Sequence, residues 1–365
     1  MHQELLYRIA LTAAPNIGAV QAKILVDHFG SAENIFKAKK DYLENIQGIG
    51  TARAKNIKSF EDFTAVEAEI EFIEKYKIQT LFLTDVEYPK RLLNCYDAPT
   101  MLYYRGTADL NNSKVISIIG TRNNTEYGRQ ITEQLVSDLQ SFKAIIVSGL
   151  AYGIDTIAHK AALNNNLQTV GVLAHGLDKI YPRLHLSLAK QMTMCGGLLT
   201  EFPKGTLPDK HNFPRRNRIV AGMADATIVI ETASKGGSII TAELANGYNR
   251  DVFAFPGRIN DAKSAGCNHL IKNNKAILLN NADELIEWLG WKEKKAKRKH
   301  QKELFITLTG DEQILVDLLK EKDTIHIDEL HIKSGLNSSS VAAALLNLEF
   351  ENVINPLPGK LYKLL

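Results

Sequence analysis

Short apolar runs and longer amphipathic stretches alternate through the middle of the chain. "KVISIIG" (114–120), "AIIVSGL" (144–150), "QTVGVLAHG" (168–176), "GGLLTEF" (196–202), "ATIVIETA" (226–233), "DVFAFPG" (251–257) and "KAILLNN" (275–281) are too short for helices and too uniformly apolar for half-exposed strands. Between them lie stretches with helical periodicity, such as "YGRQITEQLVSDLQSF" and "IDTIAHKAALNNN". Strands buried on both faces and alternating with helices predict an α/β fold, a parallel, doubly wound sheet over residues 80–288.

The flanks have different textures. Residues 1–75 show helical periodicity with no strand-like runs. Glycine breaks in "PNIGAVQAKIL" and "IQGIGTARAKNI" predict helix-hairpin-helix units or a related small bundle. Such a turn either presents backbone amides to a phosphate or simply ends a helix. Residues 291–304, "WKEKKAKRKHQKEL", read as a basic linker, and equally as a solvated charge run. Residues 305–365 give three helices and a hairpin around Pro358-Gly359, the pattern of a winged helix. Its recognition-helix candidate, "SSSVAAALLNLEFE", has no Arg or Lys to offer base edges. It is therefore expected to bind protein, or DNA only through the wing.

Composition bounds the partners. The 365 residues are 45% hydrophobic and 23% charged, with net charge +3, so any nucleic-acid footprint must be local. Cys95, Cys195 and Cys267 lie far apart and form no metal spacing; they read as reduced thiols in a cytoplasmic protein. The N-terminus lacks a signal-peptide pattern, and no apolar stretch is long enough to span a bilayer. Neither a catalytic motif nor a metal or cofactor motif appears, and the expectation is a protein that is not an enzyme and has no cofactor.

Candidate chemistry gathers at strand ends. "IIGTRNNTEYG" places Gly120, Thr121 and Arg122 between a strand and a helix start, where ligands bind doubly wound sheets. The loop has neither GxGxxG nor GxxxxGK[ST] spacing, which disfavours a dinucleotide or an ATPase phosphate loop. "VSGLAYGIDTIAH" repeats the geometry with Ser148 and Gly149; Asp155 reads as a helix-dipole acid and His159 as a packing residue. "FPKGTLPDKHNFPRRNR" (202–218) reads as one long loop, too proline-rich for a regular helix. Its cations Lys210, Arg215, Arg216 and Arg218 interleave with rings, a composition suited to single-stranded nucleic acid. The bland reading pairs the arginines with acids such as Glu201 and Glu231. Phe202 is expected in the core; Phe213 is equally a core ring or a stacking ring. "ETASKGGSIITAELA" brings Lys235, Gly236, Gly237 and Ser238 to a third helix start. Together these turns predict one basic groove, and Glu243 is the carboxylate best placed for chemistry.

"SIIGTR", "VSGLAYGIDTIAH", "HGLDKIYP", "LLTEFPKGTLPDKHNFPRRNRIVAGMAD", "ETASKGGSIITAELA" and "FAFPGRIN" together resemble the DNA-processing protein A (DprA/Smf) family. The resemblance covers about residues 80–280 closely, and the flanking regions in order and type. It implies an extended Rossmann fold, with an N-terminal domain like a sterile-alpha-motif domain and a C-terminal winged helix. It also implies a homodimer that binds single-stranded DNA, protects incoming DNA in natural transformation and loads RecA recombinase while displacing single-strand binding protein. Carried over, Gly120, Thr121, Arg122, Ser148 and Gly149 form the phosphate pocket, Lys210 contacts the backbone and Phe213 stacks on a base. Arg216, Arg218, Lys235 and Ser238 extend the groove. A rival resemblance links "KGGSIITAE" to the PGGxGTxxE signature of lysine-decarboxylase-like nucleotide phosphoribohydrolases. Here Lys235 replaces the proline, and Ser238-Ile239 breaks the Gly-Thr core.

Overall fold

The structure is a computed structural model that describes residues 2–292, 308–351, 353–357 and 360–364. They fall into two compact units, Met1–Lys292 and Glu293–Leu365.

The first unit is built on a nine-stranded sheet. Its strands are β1 (Gln79–Phe82), β2 (Met101–Gly106), β3 (Val115–Ile119), β4 (Ile145–Ser148), β5 (Thr169–Val172), β6 (Gly196–Thr200), β7 (Ala226–Val229), β8 (Asp251–Ala254) and β9 (Ile277–Leu278). The spatial order is β1-β2-β6-β5-β4-β3-β7-β8-β9. From β6 through β9 every pairing is parallel. Each apolar run predicted as a strand is one, and β3 through β7 are buried along their whole length, as packing on both faces requires. The chain leaves β3 in one direction, to β4, β5 and β6, then returns to place β7 on the other side of β3. The crevice between the carboxyl ends of β3 and β7 is therefore a topological switch point.

Two antiparallel strands, β1 and β2, extend the sheet beyond β6. The alternation pattern does not reveal them, although Tyr103 and Tyr104 are β-favouring residues. These strands give the N-terminal helices a surface to cover. Ile9, Leu11, Leu25 and Ile70 share one core with Phe82, Met101 and Tyr103. Arg8 adds an ion pair to Asp85 at 2.9 Å. The helix-hairpin-helix glycines sit where the sequence places them: Gly18 precedes the helix Ala19–Phe29, and Gly48 and Gly50 lead into the helix Gly50–Lys58.

One expectation is corrected. Residues 202–218 are not a continuous loop, because a helix runs from Asn212 to Gly222 and carries all three arginines. Pro214 is its third residue. In the first turn the missing N–H has no intrahelical partner to lose, so proline does not break the helix there.

The second unit is a winged helix. The helix Gly310–Glu321 starts in a capping box between Thr309 and Glu312. Helices Ile327–Ser334 and Ser338–Phe350 follow, with β10 (Ile325–His326), β11 (Ile354–Leu357) and β12 (Leu361–Leu364). Leu315, Leu319, Leu330, Leu345 and Leu348 form its core. The exposed face of the last helix presents Ala342, Ala343, Leu346 and Glu349, and no cation. Pro358-Gly359, and all of the basic linker 291–304 beyond Lys292, lie outside the described residues.

Candidate nucleic-acid interface

Three strand-end turns lock together. At Gly120 a side chain is excluded: a Cβ there would lie 2.5 Å from Ile154 Cγ1. Thr121 donates its N–H to the Glu231 carbonyl at 2.7 Å, while its own carbonyl accepts from Ile154 N at 3.2 Å. The turn after β3 is thus tied both to the turn after β7 and to the helix that follows β4. Gly153 takes φ 76°, and a Cβ there would meet the Thr121 carbonyl at 2.2 Å, so the close approach requires glycine. The Glu231 carboxylate, 1% exposed, accepts from the Thr125 N–H at 2.8 Å and from the Thr125 hydroxyl. Thr125 in turn caps the helix Glu126–Asp138 through Gly128 N at 3.1 Å. Glu231 therefore holds the β3 turn in register. It is spent internally and pairs with no arginine among the described residues.

These turns border an open groove of about 580 Å³ at the switch point. The groove brings together Gly120, Thr121, Arg122, Gly149, Lys210, Phe213, Arg216, Gly236, Gly237 and Ser238. Arg122 and Lys210 are exposed and form no ion pair with an acid among the described residues. The Arg122 guanidinium lies 5.3 Å from the centroid of the half-buried Phe213 ring, a cation–π contact that holds both at the groove mouth. Two helices begin beside it. The start of Asn212–Gly222 is held by Asp209, whose Oδ1 accepts from His211 N at 2.8 Å and whose carbonyl accepts from Asn212 N at 3.0 Å. The start of Gly237–Gly247 has no side-chain cap and the space around Gly237 is open, so its first-turn amides and positive dipole end favour an anion.

Other sequence-derived candidates have internal roles. Ser148 is fully buried and donates its hydroxyl to the Ile118 carbonyl at 2.6 Å, tying β4 to β3 instead of facing a ligand. Ser238 lines the groove, but its hydroxyl donates to Thr232 Oγ1 at 2.9 Å. Lys235 is exposed and sits outside the groove lining. Arg218 turns away entirely: it pairs with Glu201 at 2.6 Å and with Asp97 at 3.8 Å. Arg215 shares Glu201 at 3.3 Å and lies over the Phe202 ring, which is in the core. The bland reading thus holds for Glu201, Arg215, Arg218 and Phe202.

Arg216 is intermediate, since it lines the groove floor yet is only 5% exposed. Its guanidinium donates to the carbonyls of Gly149 and Val172, and to Asn217 Oδ1 at 3.0 Å. Burial pushes it down to about 10, against the opposing pull of Asp155. Asp155, itself pushed up by burial, accepts from Ala151 N at 3.3 Å in the first turn of its helix, the dipole position expected for it. Arg216 therefore fixes the β4 turn and supplies positive potential from below. The exposed cations of the groove lining are Arg122 and Lys210.

His159 is fully buried, with Nδ1 at 2.7 Å from Thr169 Oγ1, and it packs as expected. Thr169 donates its own proton to the Ile146 carbonyl, so the ring donates from Nδ1 and stays neutral. Burial lowers its pKa from 6.5 to about 3. The unfolded chain then binds a proton that the folded one refuses, so this group's contribution to stability falls as pH drops from about 6.5 towards 3. Denaturant unfolding between pH 7 and pH 4 should show a shallower pH dependence in His159→Gln than in the parent.

A doubly wound sheet with exposed cations, an open helix start and one ring at its switch point has the features of a polyanion-binding site. The profile described as DNA recombination-mediator protein A matches residues 79–290. The DprA winged helix domain matches 304–360, and a helix-hairpin-helix motif matches 9–70. The chain belongs to the DprA/Smf family of DNA recombination-mediator proteins. It is 31% identical to protein Smf of Synechocystis sp. over 99% of both chains. With DprA of Bacillus subtilis it shares 40% identity over 58% of this chain and 71% of that one. The solved DprA of Streptococcus pneumoniae superposes with TM-score 0.68 at 32% identity, covering 77% of this chain and 97% of that one. That of Helicobacter pylori, described as having a unique single-stranded DNA-binding mode, gives 0.53 at 33% identity, covering 59% and 98%.

The phosphoribohydrolase reading finds no support in the site. Glu243 is half-exposed, is paired with Lys275 at 2.8 Å and does not line the groove. Among the described residues no helix is long and apolar enough to cross a membrane, and no group of His, Cys, Asp or Glu could hold a metal ion.

Proposed function

We propose that the groove binds single-stranded DNA. Arg122 and Lys210 hold backbone phosphates, the Gly237 amide at the helix start takes a further phosphate, Gly120, Thr121 and Gly149 let the strand approach the sheet edge, and Phe213 stacks on a base. The observation that carries this reading is the gathering of two exposed cations, unpaired with any acid among the described residues, and a half-buried ring in one groove beside the uncapped start of the helix Gly237–Gly247. Cations and amides grip the backbone, the ring stacks on any base, and nothing reads base edges, so sequence preference is low. Membership of the family supports a wider role that we propose with it: a cytoplasmic homodimer that protects incoming DNA in natural transformation and loads RecA recombinase at the expense of single-strand binding protein. The protein acts by binding and not by turnover.

The test is fluorescence anisotropy of labelled oligo-dT. Lys210→Ala should weaken binding roughly 10- to 150-fold, the worth of a charge-assisted hydrogen bond, with an unchanged melting temperature. Glu243→Gln should bind as the parent does. Parental affinity in Lys210→Ala and Arg122→Ala alike would refute the groove assignment. Release of base from a nucleoside monophosphate, lost in Glu243→Gln, would favour the enzyme reading instead.

A further inference from the structure

Beyond Arg122 and Phe213 the groove continues into a small cleft whose lining includes two exposed tyrosines, Tyr152 and Tyr181, which are 44% and 49% exposed. Tyr181 stands next to Phe213, with ring centroids 6.4 Å apart. Neither tyrosine is displayed by chance. Tyr152 sits between two residues in the left-handed region, Leu150 at φ 54° and Gly153 at φ 76°. For a bulky leucine that conformation is strained and persists only when the surroundings impose it. Here they do: the Leu150 side chain is 1% exposed, and its carbonyl lies 3.0 Å from Nδ1 of buried His185. The His185 ring also packs edge-on against Tyr152, with centroids 5.1 Å apart.

Tyr181 has a comparable support. Buried His175 accepts the Tyr181 N–H at Nε2, 3.3 Å away, and donates from Nδ1 to the Gly176 carbonyl at 2.9 Å. The histidine is therefore a neutral bracket under the tyrosine backbone. Two buried histidines and a strained turn thus support two water-exposed tyrosines of one cleft, His185 packing on the Tyr152 ring and His175 bonding the Tyr181 backbone. Exposed aromatic rings that are rigidly held suit recognition, because stacking on them forfeits little side-chain entropy.

We propose that Tyr181 and Tyr152 form a second base-stacking subsite, continuing the track that begins at Phe213 and taking the next bases of the same strand. The cleft encloses only about 50 Å³, too little to swallow a base, so each base lies on a ring face with its edge in water. The subsite therefore accepts any base of a single strand and none of a paired one, whose bases are stacked on each other. This inference rests on the groove reading above, and length dependence separates the two.

Anisotropy is measured with oligo-dT of about 4 and about 20 nucleotides, a span bracketing the site sizes of strand-tracking grooves. Tyr152→Ala/Tyr181→Ala should weaken the longer probe roughly 5- to 150-fold, the value of one stacked base, and leave the shorter one, seated at Arg122 and Phe213, nearly unchanged. Tyr152→Phe/Tyr181→Phe should bind both probes as the parent does, since ring faces and not hydroxyls make the contact. Equal loss in the Phe and Ala variants would overturn stacking. Parental affinity of the Ala variant for the longer probe, with Arg122→Ala still impaired, would overturn the subsite and leave the groove standing. Parental affinity in all of them would remove the groove reading itself.

Discussion

Arg122→Ala/Phe213→Ala should lose most of the affinity for single-stranded DNA while remaining folded. The ring contributes about 1–3 kcal/mol as a stacking face for a base, and the guanidinium about 1.5–3 kcal/mol as a charged hydrogen-bond donor. Their effects should not add. The guanidinium rests 5.3 Å from the ring centroid, so removing either partner loosens the other. A double-mutant cycle read by anisotropy should therefore show the second substitution costing less than it does in the parent. Folding should survive because neither side chain is in a core cluster and Arg122 has no acid to abandon. Strict additivity would place the two residues in separate sites.

Arg216→Ala should do the opposite and damage the fold before it damages binding. Removing a buried guanidinium leaves the carbonyls of Gly149 and Val172 without their donor and leaves Asp155 facing an empty floor. Leaving a buried carbonyl without its donor costs about 1–3 kcal/mol, and two are left here. Asp155→Asn in the same chain should recover part of that loss, since the uncompensated charge disappears. Urea unfolding of the two variants beside the parent checks this. A stability within about 0.5 kcal/mol of the parent for Arg216→Ala, the range of ordinary surface changes, would show that the arginine is not structural.

The contrast between these arginines shows what could be read before folding. Strands β3 to β9 were legible because burial on both faces leaves an uninterrupted apolar run, and the groove's position followed from their parallel order. Gly120, Arg122, Gly149 and Gly237 were legible because they follow strands or open helices. Which cation remained free was not legible. Glu201 lies 17 residues before Arg218, and only the fold brings the two within 2.6 Å. The inward turn of Ser148 depends likewise on the neighbouring strand's Ile118 carbonyl, which no local pattern encodes. The helix bearing the arginines was hidden by Pro214, whose tolerance in a first turn depends on where the helix starts. Glu231 was the functional support that residue typing missed. Its signal, an acid at the end of an apolar strand, is equally that of a surface salt bridge.

On the proposed reading, exposed cations and a ring at the switch point hold the backbone of an unpaired strand. Anisotropy of matched single- and double-stranded oligonucleotides across a salt series, for the parent and Arg122→Ala/Lys210→Ala, decides this. The single strand should bind more tightly, and log K should fall linearly with log salt. In the variant that slope should be shallower by about 0.7 for each phosphate it no longer neutralises. Equal affinity for both forms, or a parental slope in a variant that melts as the parent does, would contradict the claim.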